Sequence, residues 1–215
     1  MKLIEIKDIS IQFESKPVLD HVSLTIDRGD FVAITGPNGG GKTTLLRIML
    51  RLLKPDAGNV CYYSADGKPD KRPKIGYLPQ KSNIDTRFPI TVAEVIRSGQ
   101  ITGLFHHRNE ENEKIFRETV ELCGVSDYLD RNVGSLSGGM LQRTLLARAI
   151  VSDPEIIILD EPLSYVDKNF EHQIYSIMDN LANDKTIILV SHEMSVISGM
   201  ANRHIIIDRG IQETI

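Results

Sequence analysis

Residues 36–44 read Gly36-Pro37-Asn38-Gly39-Gly40-Gly41-Lys42-Thr43-Thr44, a spacing of glycines, lysine and threonine that suits the capture of a chain of phosphates. Glycines let successive backbone N–H groups turn inward around phosphate oxygens, and Lys42 adds a cation for the terminal phosphates. Thr43 brings a hydroxyl of the kind Mg²⁺ accepts as a ligand. The strand-like stretch Phe31 to Thr35 precedes this run and the helix-like stretch Leu45 to Leu53 follows it. Phosphates held there would also meet the unpaired N–H groups and the positive dipole end of a helix starting near Lys42. A bare glycine-rich turn would need neither the lysine and threonine nor those flanking elements. The expected ligand is a nucleoside triphosphate.

Two further groups carry chemistry. Ile156-Ile157-Ile158-Leu159-Asp160-Glu161-Pro162 reads as a buried strand that delivers two carboxylates at its C-terminal end, the edge at which open α/β sheets place their ligands. Asp160 is the expected metal-holding carboxylate. Glu161 is the expected general base for water, a role typically worth on the order of 10² to 10⁴ in rate. Leu136-Ser137-Gly138-Gly139-Met140 opens an amphipathic stretch, Leu141 to Val151. Ser137 suits an N-cap, and the Ser-Gly-Gly backbone offers bare N–H groups to a second anion.

The elements that must position these groups follow from periodicity. Lys2 to Phe13 and His21 to Ile26 alternate in period two and predict antiparallel hairpin strands, with Glu14 to Pro17 as the turn. After the first helix, Lys54-Pro55-Asp56-Ala57-Gly58 is a stop signal, Asn59 to Tyr63 a short strand, Ser64 to Pro73 a polar turn and Ile75 to Leu78 a strand. From Thr91 the pattern turns helical, over Val92 to Ser98, Glu110 to Cys123 and Met140 to Val151, as in a helical insert. The charged run Arg108 to Lys114 reads as a solvated helix start. Strands resume at Ile156 to Asp160, Thr186 to Ser191 and His204 to Asp208, separated by helical stretches at Lys168 to Ala182 and Glu193 to Met200. Phe170, Ile174, Ile177, Met178 and Leu181 form a stripe expected to pack in the core. Buried apolar strands alternating with helices predict a mostly parallel sheet covered on both faces.

At 215 residues the chain is sized for one domain with a substantial subdomain. Its two cysteines, Cys61 and Cys123, have neither metal-ligand nor C-x-x-C spacing, which fits a reducing cytosolic setting. Met1 to Ile11 lacks the regions of a signal peptide, so export is not expected. No window approaches the roughly 18 apolar residues that span a bilayer, so membrane association would go through a partner. A formal net charge of −4 and a pI near 5.9 weigh against a nucleic-acid partner.

The Leu-Ser-Gly-Gly run resembles the signature of the ATP-binding-cassette (ABC) ATPase family, and the resemblance covers essentially the whole chain in the family's order. The family usually has Gln where this chain has Met140, whereas Gln142 and Arg143 follow as in the family. Gln80 looks like the Q-loop glutamine that links γ-phosphate, Mg²⁺ and lytic water to a membrane partner. Ser164-Tyr165-Val166-Asp167 looks like the D-loop, with Tyr-Val where Ala-Leu is more usual, and His192 looks like the switch histidine that contacts the γ-phosphate. Phe13 stands where the family places an adenine-stacking aromatic; stacking of this kind is worth roughly 1 to 3 kcal/mol in other systems. The resemblance implies an α/β P-loop NTPase (RecA-like) fold with a mostly parallel sheet core, an N-terminal antiparallel β subdomain and an inserted α-helical subdomain. It places the nucleotide core at about residues 1–83 and 153–215 and the helical subdomain at about 84–152. It implies ATP and Mg²⁺ as cofactors, with Thr43, Gln80 and Asp160 as metal ligands. It also implies a head-to-tail homodimer in which the phosphate loop of one chain and Ser137 to Gly139 of the other close over each ATP.

Ile75 to Val92, including Pro79-Gln80-Lys81-Ser82-Asn83-Ile84-Asp85 and Phe88-Pro89-Ile90-Thr91-Val92, resembles the Q-loop region of ATPases serving zinc and manganese importers. That subtype implies two transmembrane permease subunits, an extracytoplasmic solute-binding protein acting indirectly, and a place on the cytoplasmic face of the membrane. Importers of iron-siderophore, haem and cobalamin use similar ATPases, and exporters use the same module. Soluble ABC ATPases usually carry two cassettes or long coiled-coil insertions, neither of which occurs here. His106-His107 has no further spaced ligands and reads as an exposed loop, not a zinc site.

Overall fold

Period-two alternation from Lys2 produces a long strand, β1 (Lys2–Phe13), which turns back into β2 (Lys16–Asp27). The turn is the pair Glu14 and Ser15, both at positive φ (49° and 65°), the backbone that a tight two-residue hairpin requires. The return strand therefore starts five residues before the expected His21, and Lys16 and Pro17, expected in the turn, belong to it, with Pro17 paired to Gln12. Proline is tolerated there because β2 lies at the edge of its sheet, where a missing N–H breaks no ladder. β1 also pairs antiparallel with β4 (Ala57–Tyr62), giving a three-stranded sheet in the order β2-β1-β4.

The computed structural model describes residues 1–71, 73–80, 88–101, 110–163, 168–191 and 199–214. They divide into two units, Met1–Pro73 with Ala182–Ile215, and Lys74–Leu181. Besides the antiparallel sheet, the first unit holds β3 (Phe31–Thr35), flanked on both sides by parallel strands, β7 (Thr186–Val190) and β8 (Arg203–Asp208). All five residues of β3 and all five of β7 are buried, as unbroken apolar runs in a parallel sheet require. The helix α1 (Lys42–Met49) follows β3 and buries Leu45, Leu46, Ile48 and Met49. It starts at Lys42 as expected and ends before the predicted Leu53, because Arg51 at φ 58° ends the helical path. A ninth strand, absent from the expectation, is β9 (Gly210–Thr214), which folds back on β8 around Arg209 at φ 61°.

The second unit pairs β5 (Ile75–Leu78) with β6 (Ile156–Asp160) in parallel, Ile75 opposite Ile156 and Leu78 opposite Leu159. Its helices are α2 (Val92–Ser98), α3 (Glu110–Leu122), α4 (Gly138–Ile150) and α5 (Lys168–Ala182). A reciprocal capping box starts α2: Thr91 accepts from the Glu94 N–H, and Glu94 accepts from the Thr91 N–H. Arg97 makes a two-pronged ion pair with Glu113, at 2.8 and 3.0 Å, and lies over the Phe116 ring, so it fastens α2 to α3. In α5 the stripe residues Ile174, Ile177 and Met178 are buried as expected, Leu181 is half-buried, and the side chain of Phe170 lies outside the description. Burial pushes the Cys123 thiol up to about 12, so Cys123 behaves as a small apolar core residue.

Gly76 sets how closely β5 can lie on α4. A Cβ at that position would stand 2.0 Å from the Ala149 carbonyl oxygen and 2.8 Å from Pro154 Cγ. Gly76→Ala should therefore lower unfolding stability by at least about 2 kcal/mol, read as a shift in the urea midpoint. An unchanged midpoint would mean that β5 and α4 have room to separate.

Candidate functional site

The phosphate loop leaves the buried end of β3 and enters α1 within the first unit. Gly36 sits at φ 139°, and a Cβ there would stand 2.1 Å from the Ile207 carbonyl oxygen, so no other residue fits. Within the loop the Gly40 N–H donates to the Pro37 carbonyl at 3.0 Å. The β8–β9 turn supports it from outside: the Arg209 N–H donates to the Gly40 carbonyl at 3.1 Å, and the Asp20 N–H donates to the Arg209 carbonyl at 2.8 Å. On the β2 side, Leu19 and the Val18 carbonyl lie against Gly41. Pro37, Asn38 and Gly39 form the exposed crest.

Lys42 is 6% exposed, and its ammonium donates to the Gly36 and Pro37 carbonyls at 2.8 and 2.9 Å. The cation thus lies folded across the loop it belongs to. The N-cap of α1 is Gly41, with no side-chain cap bond and no acid in the first turn, while Thr43 and Thr44 are half-buried just beyond it. That combination leaves the positive end of the helix to an external acceptor, and an anion is the natural one. Phe13 stands at the tip of the β1–β2 hairpin, 48% exposed, on the hairpin whose second strand touches the loop.

The second unit holds the carboxylates. Extending the β5–β6 register by two residues places Gln80 across from Glu161, and the Gln80 amide nitrogen donates to Glu161 Oε2 at 2.7 Å. The amide oxygen is thereby left as the acceptor end of Gln80. Asp160, the last residue of β6, is 1% exposed. Glu161 occupies the left-handed region at φ 51°, as Arg51 and Arg209 do at φ 58° and 61°, so the chain turns sharply as it leaves β6.

The signature run starts α4 as expected. Ser137 is the N-cap and its hydroxyl accepts from the Met140 N–H at 3.3 Å; it is exposed, with Gly138 and Gly139 half-buried in the first turn. Five residues on, Gln142 is 1% exposed and its amide nitrogen donates to the Pro162 carbonyl at 2.8 Å, directly after Glu161. This contact, the Arg209 buttress and the Glu161 backbone were not anticipated from sequence. The one available signal was an amide in the middle of an apolar helical stretch. His192, the residues 164–167 of the D-loop pattern, the Q-loop residues 81–87 and the His106-His107 pair lie outside the described residues, as does most of the helix expected at Glu193 to Met200.

Residues 19–164 match the family model described as ABC transporter. The chain is 38% identical over 215 residues to the high-affinity zinc uptake system ATP-binding protein of Bacillus subtilis, covering 98% of this chain and 93% of that protein. It is 34% identical over 210 residues to the zinc transport system ATP-binding protein of Streptococcus pneumoniae, covering 95% of this chain and 89% of that protein. Among solved structures, the dimeric structure of a bacterial ABC transporter cassette is similar at a TM-score of 0.84 and 27% identity, covering 99% of this chain and 98% of that one.

The loop geometry has a direct thermodynamic test. ATP at about 100 times its dissociation constant should stabilise the folded chain by about 2.7 kcal/mol, seen as a rise in Tm. Lys42→Ala should abolish most of that rise. A nucleotide-dependent shift that survives Lys42→Ala would place the phosphates elsewhere.

Proposed function

Because the chain belongs to the ABC transporter family and is an ATP-hydrolysing cassette, we propose that it energises import of a divalent metal ion, zinc or manganese. The observation that carries this reading is the 38% identity, over nearly the full length of both chains, to an ATP-binding protein of a zinc uptake system. The Q-loop motif from Ile75 to Val92 supports the same subtype. In this reading ATP sits with its phosphates in Gly36 to Thr44 and its base on Phe13, Ser137 to Gly139 engage the nucleotide of a second copy, and His192 contacts the γ-phosphate. The reading keeps residues 84–152 as a helical subdomain inserted into a nucleotide core of 1–83 and 153–215.

Mg²⁺ fits the donor chemistry: the Thr43 hydroxyl, the Asp160 carboxylate and the Gln80 amide oxygen are all hard oxygen ligands. Bound there, the ion would neutralise charge on the β- and γ-phosphates. Glu161 takes the proton of the attacking water, and Lys42 and the helix dipole of α1 hold the negative charge that develops on the phosphates. Among the described residues no helix is long and apolar enough to cross a membrane, which accords with attachment through two permease subunits at the cytoplasmic face. A solute-binding protein outside the membrane would present the ion to them.

Two measurements test the reading. Glu161→Gln should bind ATP normally and lose turnover by about 100-fold or more, while in the wild type the rate per chain should rise with protein concentration and collapse in Ser137→Arg. A rate independent of concentration and indifferent to Ser137→Arg would mean a site complete within one chain. In cells, loss of the gene should lower zinc or manganese accumulation under chelation, with recovery from the wild-type gene and none from Glu161→Gln. Unchanged metal content together with lost uptake of an iron chelate, haem or cobalamin would move the chain to another importer class.

A further inference from the structure

We propose that Gln142 is a positioning residue for hydrolysis, which holds the backbone beside Glu161 through the Pro162 carbonyl and ties it to the helix that starts at Ser137. The inference rests on the assignment of Glu161 as the general base. Three observations carry it. First, Gln142 is 1% exposed on α4 and donates to the Pro162 carbonyl at 2.8 Å. Second, its own amide oxygen is buried without a partner among the described residues. An amide half-satisfied in a core lowers stability relative to an apolar side chain of the same size, so core packing alone does not explain the residue. Third, the group it holds follows a glutamate at φ 51°, where the chain turns sharply out of β6 and the direction of the Glu161 side chain depends on how the next peptide is placed.

Proline makes the hold effective. The Pro162 ring fixes φ near −65°, so its ring nitrogen and carbonyl turn nearly as one piece, and anchoring the carbonyl anchors the peptide that leaves Glu161. From the other side, the Gln80 amide fixes the Glu161 carboxylate at 2.7 Å. Glu161 is thereby held at the head group by Gln80, two residues beyond β5, and its following residue is held at the carbonyl by α4. Gln142 lies five residues after Ser137, about 7.5 Å along the helix axis, so one rigid segment links the anion-facing cap to the base. Misplacing a reacting group by about 1 Å can lower a rate on the order of 10²-fold.

The test uses the purified full chain with two substitutions. Gln142→Met removes the donor while keeping the volume, and kcat should fall about 10- to 100-fold, with KM for ATP and the ATP-induced rise in Tm unchanged. Gln142→Glu offers only acceptors when ionised, but its protonated carboxyl can donate to Pro162 again. The ratio of its kcat to that of the wild type should therefore climb as pH falls, because burial favours the neutral acid. A Gln142→Met kcat within twofold of wild type would overturn the proposal. So would parallel losses of kcat, ATP affinity and unfolding midpoint. If Gln142→Met does not fold, the pH ratio of Gln142→Glu decides, a flat ratio counting against the proposal. Glu161→Gln in the same assay separates the two layers: wild-type turnover there removes the base assignment itself, whereas a dead Glu161→Gln beside a fully active Gln142→Met removes only the positioning role.

Discussion

Parallel pairing at a single register is the constraint on which the second unit's chemistry depends. β5 and β6 run the same way, so both chains leave the pair at the same edge, and the offset that sets Leu78 opposite Leu159 also sets Gln80 opposite Glu161. A slip of one residue would turn every side chain to the other face. The register is locked by burial, since all five residues of β6 are inaccessible and Gly76 lets the α4 backbone close on the strand. Packing along β5, β6 and α4 thus determines which amide meets which carboxylate.

The phosphate loop follows a different logic. Its functional groups are mainly backbone N–H groups, and its shape is fixed by close approaches that only hydrogen would allow, as at Gly36 against Ile207. Lys42 stabilises the turn by bridging its carbonyls. Those carbonyls are weak partners beside a phosphate, so the same ammonium can exchange them for stronger acceptors without the loop being rebuilt.

Sequence reasoning did best where local geometry restricts residue type. Ser137 as the N-cap of α4, Asp160 at the end of β6 and the glycine turn before α1 stand where the sequence placed them, because few other residues cap a helix or fit so close an approach. The long buried strands were readable for a related reason, as unbroken apolar runs have few other uses. What escaped is set by contacts between distant residues. β9 is five residues long and gains its order from pairing with β8, which local alternation does not reveal. The early start of β2 follows from two residues at positive φ that carry no glycine. Gln142 looked like part of a signature, and only the packed structure shows that its amide faces Pro162.

The direction of β9 has a further consequence. The strand begins at Gly210, beside the turn that buttresses the phosphate loop, and runs antiparallel to β8 until Thr214 lies opposite His204. Because β8 is parallel to β3, Thr214 sits at the end of the sheet away from the loop. Within five residues the β9 strand thus carries the backbone from the turn that supports the loop to the opposite end of the sheet.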